Sequence, residues 1–174
     1  GFCLVGSEMC IRDSFYTAAI REFEDAGKPI IGSAPVGVEG TNSWIDSVGD
    51  TFNIAKKIIG DAKKKILPQI QKSLDDKKIN NKITVSGYEG SELIVARTLI
   101  EAGAEVPYVG TACPKTKWST EDKDWLESKG VFVKFRASLE DDISAVKSVN
   151  PDLAIGTTPV CLLYTSDAAD EGHC

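Results

Sequence analysis

Apolar and polar positions change rhythm near residue 82. Beyond it, short runs of strand character alternate with stretches of helical spacing. KITVSG (82–87) is followed by SELIVARTLIEAG (91–103), and EVPYVG (105–110) by STEDKDWLESKG (119–130). VFVKF (131–135) is followed by SLEDDISAVKSVN (138–150), and DLAIG (152–156) closes the series. Four strands alternating with helices predict a Rossmann-like α/β fold with a doubly wound parallel sheet. Two of the helices open on Ser with Asp three residues later, Ser119 with Asp122 and Ser138 with Asp141, which predicts a capping box at each. Gly103 is placed to stop the first of these helices.

Before residue 82 the pattern is longer and more helical. FYTAAIREFEDAG (15–27) places Tyr16, Ala19, Ile20 and Phe23 at helical spacing, with Gly27 as a natural stop. KPIIGSAPVGVEGT (28–41) reads as a short apolar strand and then a loop rich in Gly and Pro. Thr41 or Asn42 is a candidate cap for a helix over NSWIDSVGDTFN (42–53). A long lysine-rich helix is predicted from Ile54 to about Asp76, with Pro68 expected to kink or split it. The polar stretch DDKKINNK (75–82) marks a domain boundary. Residues 15–80 read as the end of one domain plus a helical connector, and 81–160 as an α/β domain incomplete at its C-terminus.

The two ends fit neither rhythm. Cys161–Ser166 can be written TGT CTC TTA TAC ACA TCT, and the reverse complement of that string also encodes Glu8–Asp13 and the start of Ser14. The shared string resembles a transposon end used to build sequencing libraries. Residues 1–14 and 161–174 are therefore expected to be adapter-derived, leaving 15–160 as an internal fragment of a longer protein.

That expectation changes the composition. Of 5 Cys and 1 His, only Cys113 stays inside 15–160, so this segment closes no metal site and no Ser-His-Asp or Cys-His arrangement by itself. The net charge moves from −6 to near neutral, and no basic excess points to nucleic acid. No stretch is long and apolar enough to span a bilayer. A single thiol fits a reducing cytoplasm.

Doubly wound sheets bind ligands beyond the carboxyl ends of their strands. Those ends carry SGYEGS, GTACPKTKW and GTTPV, so the candidate ligand-facing or interface residues are Tyr88, Glu89, Thr111, Cys113, Trp118 and Thr157. The glycines of SGYEGSEL suit an anion at a helix N-terminus, but a tight turn between strand and helix is the simpler reading. Lys115 and Lys117 near Cys113 would favour a reactive thiolate; a small buried residue packing the loop is the plainer alternative. Trp44 and Trp125 sit inside predicted helices, where packing is the usual role, whereas Trp118 lies in a loop and is the better pocket candidate. The lysine run is a solvated helix face, and the carboxylates of TEDKD and LEDDI favour helix dipoles rather than catalysis.

The stretch from Val85 to Val160, above all YVGTACPKTKW and PDLAIGTTPV, closely resembles the Y subunits of the chlorophyllide a reductases, within the nitrogenase-like reductases. APVGVEGTNSWIDSVG (34–49) looks like their matching upstream segment, and the wider family shares Gly-x-x-Gly-Thr before a Trp-bearing helix, here Gly37–Thr41 and Trp44. The resemblance implies a nitrogenase component 1-like fold and an oxidoreductase built as a heterotetramer of Y and Z subunits. In that family an X-subunit iron protein uses ATP to deliver electrons. A [4Fe–4S] cluster at the Y–Z junction passes them to chlorophyllide a, and the C7=C8 bond of ring B is reduced in bacteriochlorophyll biosynthesis. The family's cluster cysteines lie in an N-terminal domain upstream of this segment. Cys113 is then no cluster ligand, no catalytic residue is carried over, and the fragment alone is expected to be inactive. Two rival readings are a Z subunit or light-independent protochlorophyllide reductase subunit, and a non-catalytic Rossmann-like module for a small ligand.

Overall fold

The computed structural model describes residues 21–31, 34–88, 90–117 and 119–156. The two unusual ends, the start of the first predicted helix, and Glu89, Trp118 and Thr157 lie outside the described residues. After helical residues 21–25, the chain forms α1 (Gly37–Thr51) and α2 (Lys56–Asp75). The alternating series follows as β1 (Lys82–Gly87), α3 (Glu92–Glu101), β2 (Glu105–Thr111), α4 (Thr120–Ser128), β3 (Phe132–Phe135), α5 (Leu139–Val149) and β4 (Leu153–Ile155).

The four strands make one parallel sheet in the order β3-β2-β1-β4. Val85 sits opposite both Val109 and Ile155, so β1 is central. The chain crosses from one side of β1 to the other between β3 and β4. The point where the order reverses therefore lies beside the carboxyl end of β1.

One irregularity sorts the two faces of the sheet. Lys82 pairs with Glu105 but Thr84 pairs with Tyr108, so β2 carries one extra residue across this step. Pro107, which has no N–H to give the ladder, sits in the bulge. The extra residue restores the in–out phase: Val106 and Val109 both join the core cluster, whereas Tyr108 reaches Asp142 on α5. On one face Ile83, Val85, Val106 and Val109 pack with Leu93 and Ala96 of α3 and Leu126 of α4. Burying each of the larger aliphatic side chains contributes about 1.5–3 kcal/mol. On the other face β1 presents Thr84 and Ser86, both buried, beneath α5.

Helix boundaries follow local chemistry. Ser138 caps α5 in a full capping box, its hydroxyl accepting from the Asp141 N–H while the Asp141 carboxylate accepts from the Ser138 N–H. At the end of α3, the Ala104 N–H donates to Leu99 at 2.9 Å, and Gly103 takes φ +100°. A Cβ at Gly103 would also lie 2.9 Å from the Ile79 carbonyl oxygen, so glycine is required there twice over.

Four expectations are corrected. No strand forms over 28–31, where Pro29 has no N–H to give a ladder. α1 begins at Gly37, with Val36 as its cap, rather than after Thr41 or Asn42; the Glu101 carboxylate from α3 accepts the free N–H groups of its first turn, and Thr41 is buried inside the helix. Of the two outcomes expected at Pro68, a kink or a split, the split does not occur: α2 runs through it as one helix. Pro68 is exposed, so the carbonyl deprived of its N–H partner faces water. Ser119 does not form a capping box with Asp122: its hydroxyl bonds Thr116, and Asp122 is drawn inward to Arg97.

Candidate functional site

The turn from β1 into α3 is built around a carboxylate. Gly87 ends β1, and Glu92 in the first turn of α3 folds back over it: a Cβ on Gly87 would lie 2.3 Å from Glu92 Oε1. Glu92 is 5% exposed. The Glu92 side chain thus fills the space over Gly87 in the turn that leads into α3. Of the two readings of SGYEGSEL, the tight turn is the one the structure carries.

Beside this turn, Tyr88, Thr111 and Cys113 come together. The Cys113 N–H donates to Thr111 Oγ1 at 3.2 Å, and its thiol lies 3.5 Å from the Tyr88 carbonyl oxygen. The Ala112 N–H donates to Gly87, the Ala137 N–H to the Thr111 carbonyl, and the Arg136 N–H to the Cys113 carbonyl. These bonds tie the ends of β1, β2 and β3 into one rigid rim. Thr111 is 1% exposed and Cys113 8%, whereas Tyr88 is 47% exposed. Thr111 and Cys113 are therefore packed into the rim, and Tyr88 is its exposed member. Lys117 pairs with Glu24. The buried thiol matches a loop-packing cysteine. Glu89, Trp118 and Thr157 lie outside the described residues.

Below the rim is a polar cluster that pattern reading missed. Asp142, the one buried residue of α5, accepts a hydrogen bond from the Tyr108 hydroxyl at 2.7 Å. Gly110 makes room for both: a Cβ there would lie 2.0 Å from Asp142 Oδ1 and 2.7 Å from the Tyr108 oxygen. Burial pushes the Asp142 carboxyl above the usual carboxylate range, opposed by the Tyr108 and Ser86 hydroxyls and reinforced by Asp141 and Glu92. Burial first, and then the bond to Asp142, raises the Tyr108 phenol. Position in a helix's first turn made Asp142 look like a dipole residue; the missed signal was Gly110 opposite it, in an otherwise large-residue strand.

A second charged cluster joins α1 to the α/β layers. Arg97 of α3 forms a buried ion pair with Asp122 of α4. Its guanidinium also lies over the Trp125 ring, 4.8 Å from the centroid, and Lys129 lies 5.0 Å from it. The Trp125 indole N–H donates to Glu39 of α1. Trp125 thus has the helix-face packing role its position suggests, and Trp44 is half-buried in α1.

Among the described residues no group of three or more His, Cys, Asp or Glu side chains is arranged to hold a metal ion, and no described helix is long and apolar enough to cross a membrane.

Comparison with known proteins gives a consistent picture. The family model described as Nitrogenase component 1 type Oxidoreductase matches residues 8–167. A protein named chlorophyllide reductase 52.5 kDa chain, from Rhodobacter capsulatus, is 59% identical over 146 residues, covering 84% of this chain and 29% of that protein. Its namesake from Cereibacter sphaeroides is 57% identical over the same length, again covering 84% and 29%. Light-independent protochlorophyllide reductase subunit N from Prochlorococcus marinus is 23% identical over 154 residues, covering 86% of this chain and 37% of that one. The chain thus spans under a third of the length of the chlorophyllide reductase chains it matches.

Proposed function

The chain belongs to the nitrogenase component 1 type oxidoreductase family, and from that premise we propose that it is part of the Y subunit of chlorophyllide a reductase. The observation that carries the reading is the gap in identity. Two chlorophyllide reductase chains match at 59% and 57%, while the protochlorophyllide reductase subunit matches at 23%. The full protein then acts as an oxidoreductase on the C7=C8 bond of ring B of chlorophyllide a, in the cytoplasm, in a heterotetramer with the Z subunit. The X-subunit iron protein is the ATP-using electron donor.

The rival reading as a nucleotide-binding Rossmann module is disfavoured by the same gap in identity, and Glu92 occupies the space over Gly87 in the turn where such a module would approach a phosphate. The described residues do not fit a [4Fe–4S] cluster: Cys113 is buried with its thiol against the Tyr88 carbonyl, and no ligand group surrounds it. The cluster ligands are assigned to another part of the longer protein, and no step is routed through residues of this chain. Their role is structural and substrate-facing. The rim of Thr111 and Cys113 fixes the strand ends, and Tyr88 offers an aromatic face suited to a flat pigment. The division into 15–80 and 81–160, and the adapter origin of both ends, belong to the same proposal.

The test is a chimera. The matching 146-residue stretch of the Rhodobacter capsulatus 52.5 kDa chain is replaced by residues 15–160 of this chain and assayed with the Z and X subunits. Conversion of the chlorin spectrum to a bacteriochlorin one is expected. A chimera that assembles with Z yet leaves chlorophyllide a unreduced would overturn the reading. Sequencing the source DNA across both ends by a transposon-free method tests the adapter reading separately.

A further inference from the structure

The contact between α5 and the sheet is unusual in what it buries. A helix on a sheet normally docks through an apolar stripe. Here the one buried residue of α5 is Asp142, 3% exposed. Its carboxyl group enters a gap that exists because position 110 is glycine. It accepts a hydrogen bond from a neutral phenol, Tyr108 of β2, at 2.7 Å. Ser86 of β1 contributes a second neutral hydroxyl beside it.

The charged groups facing this site are acids. Glu92 at the start of α3 and Asp141 on α5 both disfavour a negative Asp142. The nearest lysine on the neighbouring strand, Lys134 of β3, is bonded to Asp141 at 2.7 Å. Asp141 is in turn held by the Ser138 capping box. An ionised Asp142 would thus be a buried anion next to two others, with only hydroxyl groups to solvate it.

We propose that the Asp142 carboxyl group is a proton-operated latch: neutral, it holds α5 and the strand after it, β4, on the sheet, and loss of its proton releases them. β4 is suited to follow α5. Among the described residues it is three residues long, ends the strand order and pairs with β1 alone. Its carboxyl end lies beside that of β1, the edge at which doubly wound sheets receive ligands, so the latch couples proton concentration to the shape of that edge. The inference rests on the described residues and does not depend on which reductase the chain comes from.

The sign is fixed by linkage. The folded carboxyl lies above its unfolded value, so its contribution is fully present below the unfolded value and is lost as pH rises through the folded one. Hydrogen exchange of the full chain, expressed as protection factors in a pH series rising from the ordinary carboxylate range of about 4, reads this directly. Amides of α5 and β4 should lose protection as pH rises, by up to about tenfold per pH unit within the window, while α3 stays constant. Asp142→Asn, which mimics the neutral acid, should keep α5 protected across the range. Tyr108→Phe removes a bond that favours the anion and should move the loss to higher pH. The proposal is overturned if α5 protection in the unsubstituted chain is flat with pH, if Asp142→Asn keeps the same pH dependence, or if Tyr108→Phe moves the loss to lower pH. Should Asp142→Asn fail to fold, the unsubstituted chain and Tyr108→Phe decide between the outcomes.

Discussion

The Glu101 carboxylate, on the last turn of α3, closes the N-terminus of α1 by accepting the Val38 N–H, and the Glu39 N–H donates to its other oxygen at 3.2 Å. The cap therefore comes from a residue 63 positions away in sequence. Gly37 makes the approach possible: its φ is +66°, and a Cβ there would lie 2.2 Å from Glu101 Oε2. Glu101→Ala should cost about 1–2 kcal/mol, as loss of a cap does. Gly37→Ala should cost at least as much, because it strains the backbone and displaces the same carboxylate. Urea unfolding of both single variants and the double variant checks this. The two losses should fall short of additive, since each removes the same contact.

The Arg97–Asp122 pair is buried on both sides, with side chains 5% and 12% exposed. Arg97→Ala leaves Asp122 without its cation and should destabilise by about 3–5 kcal/mol. Arg97→Met together with Asp122→Leu should recover much of that loss. Because Arg97 lies over Trp125, the single variant should also shift Trp125 fluorescence before unfolding. Denaturant curves followed by fluorescence and by circular dichroism report both effects.

Acid should loosen the start of α5 by a route separate from Asp142. Lys134, and then the Ser138 backbone and hydroxyl, hold the Asp141 carboxyl below its ordinary value. A lowered carboxyl contributes stability above its unfolded value and loses it as pH falls through the folded one. Asp141→Asn should flatten the acid limb of a stability–pH curve while leaving the neutral region little changed. Ser138→Ala should cost about 1 kcal/mol at neutral pH.

Cys113 should behave as a packed thiol. It is 8% exposed, so alkylation in the native state should be far slower than in urea, with a rate set by local opening. Peptide mapping after labelling separates it from the other four cysteines of the chain. Labelling of Cys113 at the rate of a free exposed thiol would restore the reactive-cysteine reading.

The alternation beyond residue 82 was legible because each element satisfies its own chemistry. KITVSG became a strand at its predicted limits, and Ser138 capped α5 with Asp141. Misreadings arose where a distant residue overrode a local signal. Ser119 and Asp122 have the capping-box spacing, yet Arg97 across the helix interface took Asp122. α1 began five residues early because Glu101 supplied a cap that no nearby residue announced. The grouping of Tyr88, Thr111 and Cys113 was legible from topology, since strand ends bring them together. Which of them faces outward was not, because exposure depends on neighbouring turns rather than on residue type.

The extra residue at Pro107 gives β2 two grammars in seven positions. Up to Val106 a hydrophobic substitution belongs on one parity of the sequence, and from Tyr108 onward on the other. Deleting Pro107 would leave Tyr108 opposite Thr84 and Val109 opposite Val85, and would turn the strand into a plain zigzag with its faces unchanged. Straightening the strand with Pro107 retained would instead swing Tyr108 toward the layer under α3 and bring Val109 up against Asp142. Any sequence comparison or redesign that spaces this strand as one uninterrupted zigzag would assign every later side chain to the wrong side.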